Sequence, residues 1–201
     1  MPFVCGALIS LMSSAAAGGG PLGIDHRWKY DESGIWSRSN QNFLRYGALA
    51  ADVGIALWEG GDSRLGRAAW QSIDSTALGT LSAETTKRWF GRVRPRDSND
   101  PNQWFKRGHY SFPSSEVAET TAIITPYVLE YGRDHPAVYL LELVPAYDAI
   151  ARMKVQAHWQ TDVLAGFAIG TVTGLIAHKR DSPLILSLLP RGFAVGLKKQ
   201  F

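Results

Sequence analysis

At 201 residues the chain has room for one well-buried core, and no low-complexity linker divides it. With 19% charged residues and a formal net charge of +3, its overall balance demands no polyanionic partner, and no nucleic-acid role is read from it. The single cysteine, Cys5, excludes an internal disulfide and leaves the redox compartment open.

Residues 1–20 are apolar and rich in small residues, passing through Ala15-Ala16-Ala17 into Gly18-Gly19-Gly20. They match the apolar core and small-residue cleavage region of a secretory signal, without its positive start, and predict a periplasmic or exported protein. Residues 21–180 read as the main helical domain and 181–201 as an appendage. The polar and aromatic stretch 23–42, with Trp28, Tyr30 and Trp36, reads as an irregular cover over the first helix. Phe43, Tyr46, Leu49, Ala50, Val53 and Leu57 recur at helical spacing and predict a helix over 43–58, stopped by Gly60-Gly61-Asp62. A second helix is expected over about 63–90, broken near Gly79. A polar loop, 95–113, is long enough to suggest function.

Helix is then expected over 114–131, over 136–150 with a kink at Pro145, and over 158–178. The uncharged run 163–178 is diluted by Gly166, Gly170 and Gly174 and falls short of the roughly 20 apolar residues of a membrane span, so it reads as a buried core helix. Leu184-Ile185-Leu186 and Phe193, Val195 and Leu197 on either side of Pro190-Arg191-Gly192 predict a short hairpin or extended tail. The fold class expected is an all-α bundle with that small C-terminal tail.

Three separated pieces carry the chemistry. Between 87 and 107 the chain has Lys87, Arg88, Arg92, Arg94, Arg96, Lys106 and Arg107 against Asp97 and Asp100 only, either a solvated basic face or an anion site. Within it, Lys87 and Arg94 stand seven apart, nearly two helical turns, so both point to one side if the helix persists to Pro95. A point-charge ammonium beside a forked guanidinium suits a phosphate. The second piece, Phe112-Pro113-Ser114-Ser115-Glu116, opens a helix, where hydroxyls and unpaired amides bind an anion or serve as an ordinary cap. The third runs from Arg152 to Asp162. His158 and Asp162 at i and i+4 share a helical face, where the carboxylate can fix the imidazole tautomer. Such a pair also suits a metal, but Glu116, Glu119 and His109 are the only further ligands in view and the surrounding cations oppose a dication, so no metal is expected.

Together the pieces resemble the type 2 phosphatidic acid phosphatase superfamily, which includes bacterial nonspecific acid phosphatases and vanadium haloperoxidases. Its pattern is Lys-x6-Arg-Pro, then Pro-Ser-Gly-His, then Ser-Arg-x5-His-x3-Asp, and the match runs from Lys87 to Asp162. The resemblance implies that Lys87, Arg94 and Arg152 bind phosphate oxygens, with Ser114 and the backbone of Ser115 completing the cradle. It implies that His158 forms a phosphohistidine oriented by Asp162, without a cofactor.

Two departures stand out. Ser115 and Glu116 occupy the places of the family's glycine and histidine, and Ala151 that of its serine. The missing histidine is the family's acid for the leaving oxygen. Glu116 replaces it if burial raises its pKa, serves as a base for an acceptor, or ionises among the cations and leaves the proton to water or His109. The reading is therefore a phosphatase or phosphotransferase acting on a phosphomonoester or diphosphate, as a small molecule or on a lipid or polyprenyl carrier at a membrane surface. The alternatives are a noncatalytic phosphate-binding scaffold and a vanadate-dependent haloperoxidase.

Overall fold

The computed structural model describes residues 18–180. The signal-like stretch up to residue 17 and the expected C-terminal hairpin lie outside the described residues. Five α-helices follow in order: α1 (Arg38–Glu59), α2 (Arg64–Phe90), α3 (Ser115–Tyr131), α4 (Leu143–Lys154) and α5 (Gln160–His178), with short 3-10 helices at Gly34–Trp36 and Pro136–Glu142. Among the described residues the only β pairing is an isolated antiparallel bridge between Gly19 and Asp25, so the fold is all-α.

The centre is α3, in which every residue from 117 to 127 is buried. A helix enclosed on all sides needs apolar or small residues all round, and α3 has Val117, Ala118, Ala122, Ile123 and Ile124 together with threonines that return their hydroxyl hydrogens to their own helix, as Thr125 does to the Thr121 carbonyl at 2.8 Å. It lies against α2 and α5. The glycines of α5 set that contact. A Cβ on Gly170 would stand 2.5 Å from the Ala118 carbonyl oxygen and 2.6 Å from the Thr121 Cβ, and one on Gly174 would stand 2.5 Å from the Thr125 Cβ. By length and composition alone α5 could cross a membrane. Here its glycine face is spent on α3.

Three expectations are corrected, and the fold adds the orientation of α1. Helix α2 runs unbroken through Gly79, whose missing side chain admits Thr173 of α5, with Oγ1 3.1 Å from the ideal Cβ, and Ala122 of α3 at 3.4 Å. The helix expected over 136–150 is a 3-10 segment followed by α4, in which Pro145 is the third residue and its absent N–H costs no intrahelical bond. The last helix starts at Gln160, so His158 precedes it. Finally, the apolar stripe of α1 faces outward: Phe43 is 81% exposed and Leu57 66%, beside Trp58 at 89%. Its buried face is Gln41, Asp52 and Ala56, with the Tyr127 hydroxyl donating to Asp52 at 2.5 Å. The inner side of α1 meets polar partners on α3 and an apolar cluster on α2, where Ile55 and Ala56 pack against Ala68 and Ala69.

The glycine contacts generate a paired prediction. Gly170→Leu should destabilise the protein by about 1–3 kcal/mol or more through overpacking against α3. Gly47→Ala, on α1 with open space around the missing Cβ, should instead stabilise by about 0.5–1 kcal/mol, because it removes a flexible residue from a helix interior. Urea denaturation of both variants measures the contrast, and equal effects would contradict the packing described.

Candidate active site

Backbone hydrogen bonds bring three distant segments together. Helix α2 ends where Gly91 turns left-handed (φ 45°, ψ 47°) and its amide caps Lys87, so Arg94 lies on the extended stretch beyond the helix and not two helical turns along it as the spacing suggested. The Ser111 amide donates to the Arg92 carbonyl at 2.9 Å, the Ser114 amide to the Asp162 carbonyl at 2.9 Å, and the Arg96 amide to the Gln156 carbonyl at 3.1 Å. Thus the stretch after α2, the start of α3 and the α4–α5 junction share one small volume.

His158 is 3% exposed. Its Nδ1 lies 2.7 Å from the Ser111 carbonyl oxygen. A carbonyl only accepts, so Nδ1 carries the hydrogen and Nε2 keeps its lone pair. Burial pushes the ring down to about 4, against the pull of Asp162 and assisted by the positive charges of Arg152 and Lys87, so it is neutral at physiological pH. The expected direct orientation by Asp162 takes a different form. The Asp162 carboxylate is 3.9 Å from Nδ1, and its Oδ2 accepts from the Ser111 hydroxyl at 2.6 Å and the Trp159 amide at 2.9 Å. Asp162 therefore holds Ser111, and Ser111 holds the histidine. This follows from His158 lying outside α5, while Asp162 is the third residue of that helix and caps its start.

The cations gather around this ring. Lys87, 7% exposed, donates to the Ser115 hydroxyl at 2.6 Å and pairs with Glu84 at 3.2 Å, and burial lowers its pKa. Burial also lowers that of Arg152, 7% exposed, whose Nη1 donates to Gln41 at 3.1 Å. The Arg94 guanidinium makes no hydrogen bond or ion pair among the described residues, and burial followed by the neighbouring charge of Arg96 lowers its pKa. Among the buried polar atoms without a partner in the described residues are the Ser114 hydroxyl and the Arg152 Nε. Ser114 stands at the N-cap of α3 yet makes no side-chain cap bond, so it is not the ordinary cap that its position allowed. Unsatisfied donors at a helix start beside buried cations suit an anion.

Glu116 is placed otherwise than a proton donor requires. Arg38 grips it with two hydrogen bonds, 2.7 and 2.8 Å, while Arg152 and Arg45 stand at 3.6 and 3.9 Å. Burial alone would raise its pKa, but the Arg38 hydrogen bonds and the charges of Arg152, Arg38 and Arg45 outweigh it and hold the carboxyl at about 2. It is an ionised acceptor. One helical turn on, Glu119 takes two hydrogen bonds from Arg45, 2.9 and 2.7 Å. Asp148, a turn before Arg152, is 3% exposed with one oxygen unpartnered. Burial and then the Glu116 charge push it up to about 7, against Arg152, Arg45 and Arg38. A polar cavity of about 440 Å³ opens here, lined by Tyr30, Glu32, Arg38, Arg94, Arg96, Glu116, Arg152, Val155 and Ala157.

The structure thus draws Lys87, Arg94, Ser114, Ser115, Glu116, Arg152, His158 and Asp162 into one neighbourhood. Sequence reading missed Ser111, whose carbonyl leaves no trace in residue type, and Arg92, hidden within the basic run. Arg92 is fully buried and uses all its donors: Nη1 to Asp162 at 2.5 Å and Thr161 at 2.8 Å, Nη2 to Asp25 at 2.5 Å and the Pro101 carbonyl at 2.7 Å, and Nε to the same carbonyl at 3.1 Å. Arg38 and Arg45 were missed too, although their separation of seven on α1 mirrors Glu116 and Glu119, three apart on α3. His109 lies on the loop and does not line the cavity.

Replacing Arg92 with Met should cost on the order of 3–5 kcal/mol, since it strands two buried carboxylates, whereas Asp25→Ala leaves the Arg92–Asp162 pair intact and should cost less. Chemical denaturation of the two variants checks the order, and a milder loss for Arg92→Met would contradict it.

Comparison with known proteins places this geometry. A stretch of 90 residues is 33% identical to the lipid A 1-phosphatase of Porphyromonas gingivalis, covering 44% of this chain and 18% of that protein, so the chain spans about a fifth of the relative's length. The crystal structure of Aquifex aeolicus LpxE superposes with a TM-score of 0.52 at 22% identity, over 70% of this chain and 84% of that one, a likeness of fold. Residues 68–183 match the family model described as the PAP2 superfamily. That match spans α2 to α5 and the convergent site they build, and the chain belongs to the PAP2 superfamily.

Proposed function

We propose that the protein is a phosphatase of lipid or polyprenyl phosphates that works through a phosphohistidine on His158. The observation that carries this reading is the state of His158: buried, neutral, with its Nδ1 hydrogen committed to the Ser111 carbonyl and its Nε2 lone pair without a hydrogen-bond partner among the described residues. An imidazole so arranged among Lys87, Arg94 and Arg152 is a nucleophile facing a site for phosphate oxygens. In the first step Nε2 bonds to phosphorus as the P–O bond to the leaving group breaks, the electron pair staying on the leaving oxygen, which takes its proton from solvent. The ring becomes positive, and the Ser111 carbonyl and the nearby Asp162 charge stabilise it. Arg94, without a hydrogen bond or ion pair among the described residues, and Arg152 and Lys87 take the phosphoryl oxygens, joined by the Ser114 hydroxyl, unpartnered among the same residues, and the amides at the start of α3. Water then attacks phosphorus, the P–N bond breaks and the neutral ring returns.

The lipid part of the proposal is supported by the outward apolar face of α1, where Phe43, Tyr46, Leu57 and Trp58 form an exposed stripe, and by the name of the P. gingivalis relative. A membrane face on the exported side fits both, as it fits the signal-like residues 1–20. A stripe of this kind lies in the headgroup layer and brings the site to a substrate held in the bilayer.

His158→Ala should lower phosphate release on the order of 10³-fold or more with its circular dichroism spectrum unchanged. Acid quench of the native protein should trap labelled phosphate on His158. Because the ring stays neutral until the pH falls to about 4, the nucleophile is lost only below that pH, and a rate profile whose acid limb lies near the ordinary histidine value would contradict the assignment. Full activity in the alanine variant would end it.

The α1 stripe yields a separate outcome. Phe43→Ser combined with Leu57→Ser and Trp58→Ser should reduce flotation with phosphatidylglycerol vesicles severalfold while leaving the thermal midpoint within a few degrees, since these side chains are exposed. Unchanged flotation would remove this surface as the membrane contact.

A further inference from the structure

Three buried charges stand behind His158, and they do not cancel. Arg92 is met by Asp162 at 2.5 Å on one terminal nitrogen and by Asp25 at 2.5 Å on the other, and none of the three side chains has exposed surface. One guanidinium between two carboxylates leaves one net negative charge. Asp162 brings that charge to the ring, with an oxygen 3.9 Å from Nδ1 and a hydrogen bond from the Ser111 hydroxyl at 2.6 Å.

Asp25 reaches this point from outside the helices. It ends the segment 18–25, which turns back at Gly20 (φ 78°) and is closed by two backbone bonds between Gly19 and Asp25, 2.8 and 2.9 Å. The turn has no room for side chains. A Cβ on Gly19 would stand 2.5 Å from the Pro101 Cγ, and one on Gly20 would overlap the Asp25 carboxylate. That carboxylate is fully used: Oδ1 accepts from the Thr161 amide at 2.8 Å, and Oδ2 accepts from the Thr161 hydroxyl at 2.6 Å and from Arg92. Asp25 therefore sits at the start of the helix whose third residue is Asp162, and it does not line the cavity.

Attack on phosphorus turns the neutral ring into a cation. Nε2 forms the P–N bond, the P–O bond breaks with its electron pair on the leaving oxygen, and Nδ1 keeps its hydrogen. Burial opposes that cation first and the charges of Arg152 and Lys87 oppose it further, while Asp162 favours it. Beside Arg92 alone, Asp162 would belong to a neutral pair, and much of its field at the ring would be cancelled. With Asp25 on Arg92 as well, one negative charge stays uncancelled where the dielectric is low and charges act strongly.

We propose that Asp25 is a positioning residue for phosphoryl transfer: by neutralising Arg92 it leaves the charge of Asp162 to stabilise the His158 cation, so that the segment before α1 completes the active site. The proposal rests on the phosphohistidine reading above. It adds to that reading a residue that lies outside the matched family region, residues 68–183.

The test uses the full chain with radiolabelled para-nitrophenyl phosphate and rapid acid quench, which reads the first-turnover labelling of His158. Asp25→Asn keeps the size of the side chain and removes one negative charge. Thr161→Val keeps every charge and removes the hydroxyl that bonds Arg92 at 2.8 Å and Asp25 at 2.6 Å. Rates are referred to folded molecules, counted by urea titration of each variant. Asp25→Asn should slow labelling at saturating substrate by about tenfold or more and leave the half-saturating concentration within about twofold, because Asp25 acts on the ring and not on the substrate. Thr161→Val should slow labelling by less than about threefold, even where it lowers stability as much. If Asp25→Asn yields too little folded protein, Gly20→Ala takes its place, since its Cβ displaces the same carboxylate from Arg92. Equal slowing by Asp25→Asn and Thr161→Val at equal loss of stability, or a native labelling rate in Asp25→Asn, would overturn the role of Asp25 and leave the phosphohistidine in place. Phosphate release by the native protein with no label on His158 would overturn the phosphohistidine reading, and the role of Asp25 with it.

Discussion

Everything at the site hangs from one buried guanidinium. Arg92 has no exposed surface and five N–H donors, and each donor is met by Asp25, Asp162, Thr161 or the Pro101 carbonyl, with the planar group lying 4.3 Å from the centre of the Trp104 ring. Burying a charge is tolerable only with this degree of satisfaction. In meeting it, the protein ties the segment before α1, the loop after α2 and the start of α5 to a single point. Asp162, fixed by Arg92, fixes Ser111, and the Ser111 carbonyl sets the tautomer of His158. His158 is thus oriented by a chain of contacts that begins in Arg92, a residue that does not line the cavity.

A second layer of charge works from the other side. Arg38 and Arg45 on α1 grip Glu116 and Glu119 on α3, while Ile55 and Ala56 further along α1 pack against Ala68 and Ala69 of α2. The apolar residues of α1 are thereby turned outward. Glu116 is also an anion beside Arg152, 3.6 Å away, which partly offsets the repulsion among the neighbouring cations. The place that a proton donor takes in related sequences is here filled by a counter-ion.

Small residues complete the arrangement. Gly166, Gly170 and Gly174 let α5 lie against the backbone of α3, and a Cβ on Gly166 would come 2.6 Å from the Ser114 carbonyl. The start of α3, with its unpartnered Ser114 hydroxyl, is therefore held directly against the helix whose first turn carries Asp162. Close helix packing and the geometry around Ser114 and Asp162 are one constraint seen at two distances.

By itself the amino-acid sequence determined the all-α class, the approximate helices and the group of residues that assembles, because helical periodicity and the spacing of Lys87, Arg94, Ser114, Arg152, His158 and Asp162 are local properties of the chain. It also marked the Glu116 departure and the tendency of a carboxyl among cations to ionise. Tertiary structure decided what depends on partners distant in the chain: that Gly79 is a point of contact and not a break, that the apolar face of α1 looks outward, that His158 sits before its helix, and that Asp162 reaches it through Ser111. A helix's own residues state which faces are apolar, but whether such a face is buried depends on what the rest of the fold sets against it. The roles of Asp25, Arg92 and the Ser111 carbonyl were illegible for the same reason. A buried ion pair across 67 residues, or a backbone oxygen that selects a tautomer, has no local signature and exists only once the chain is folded.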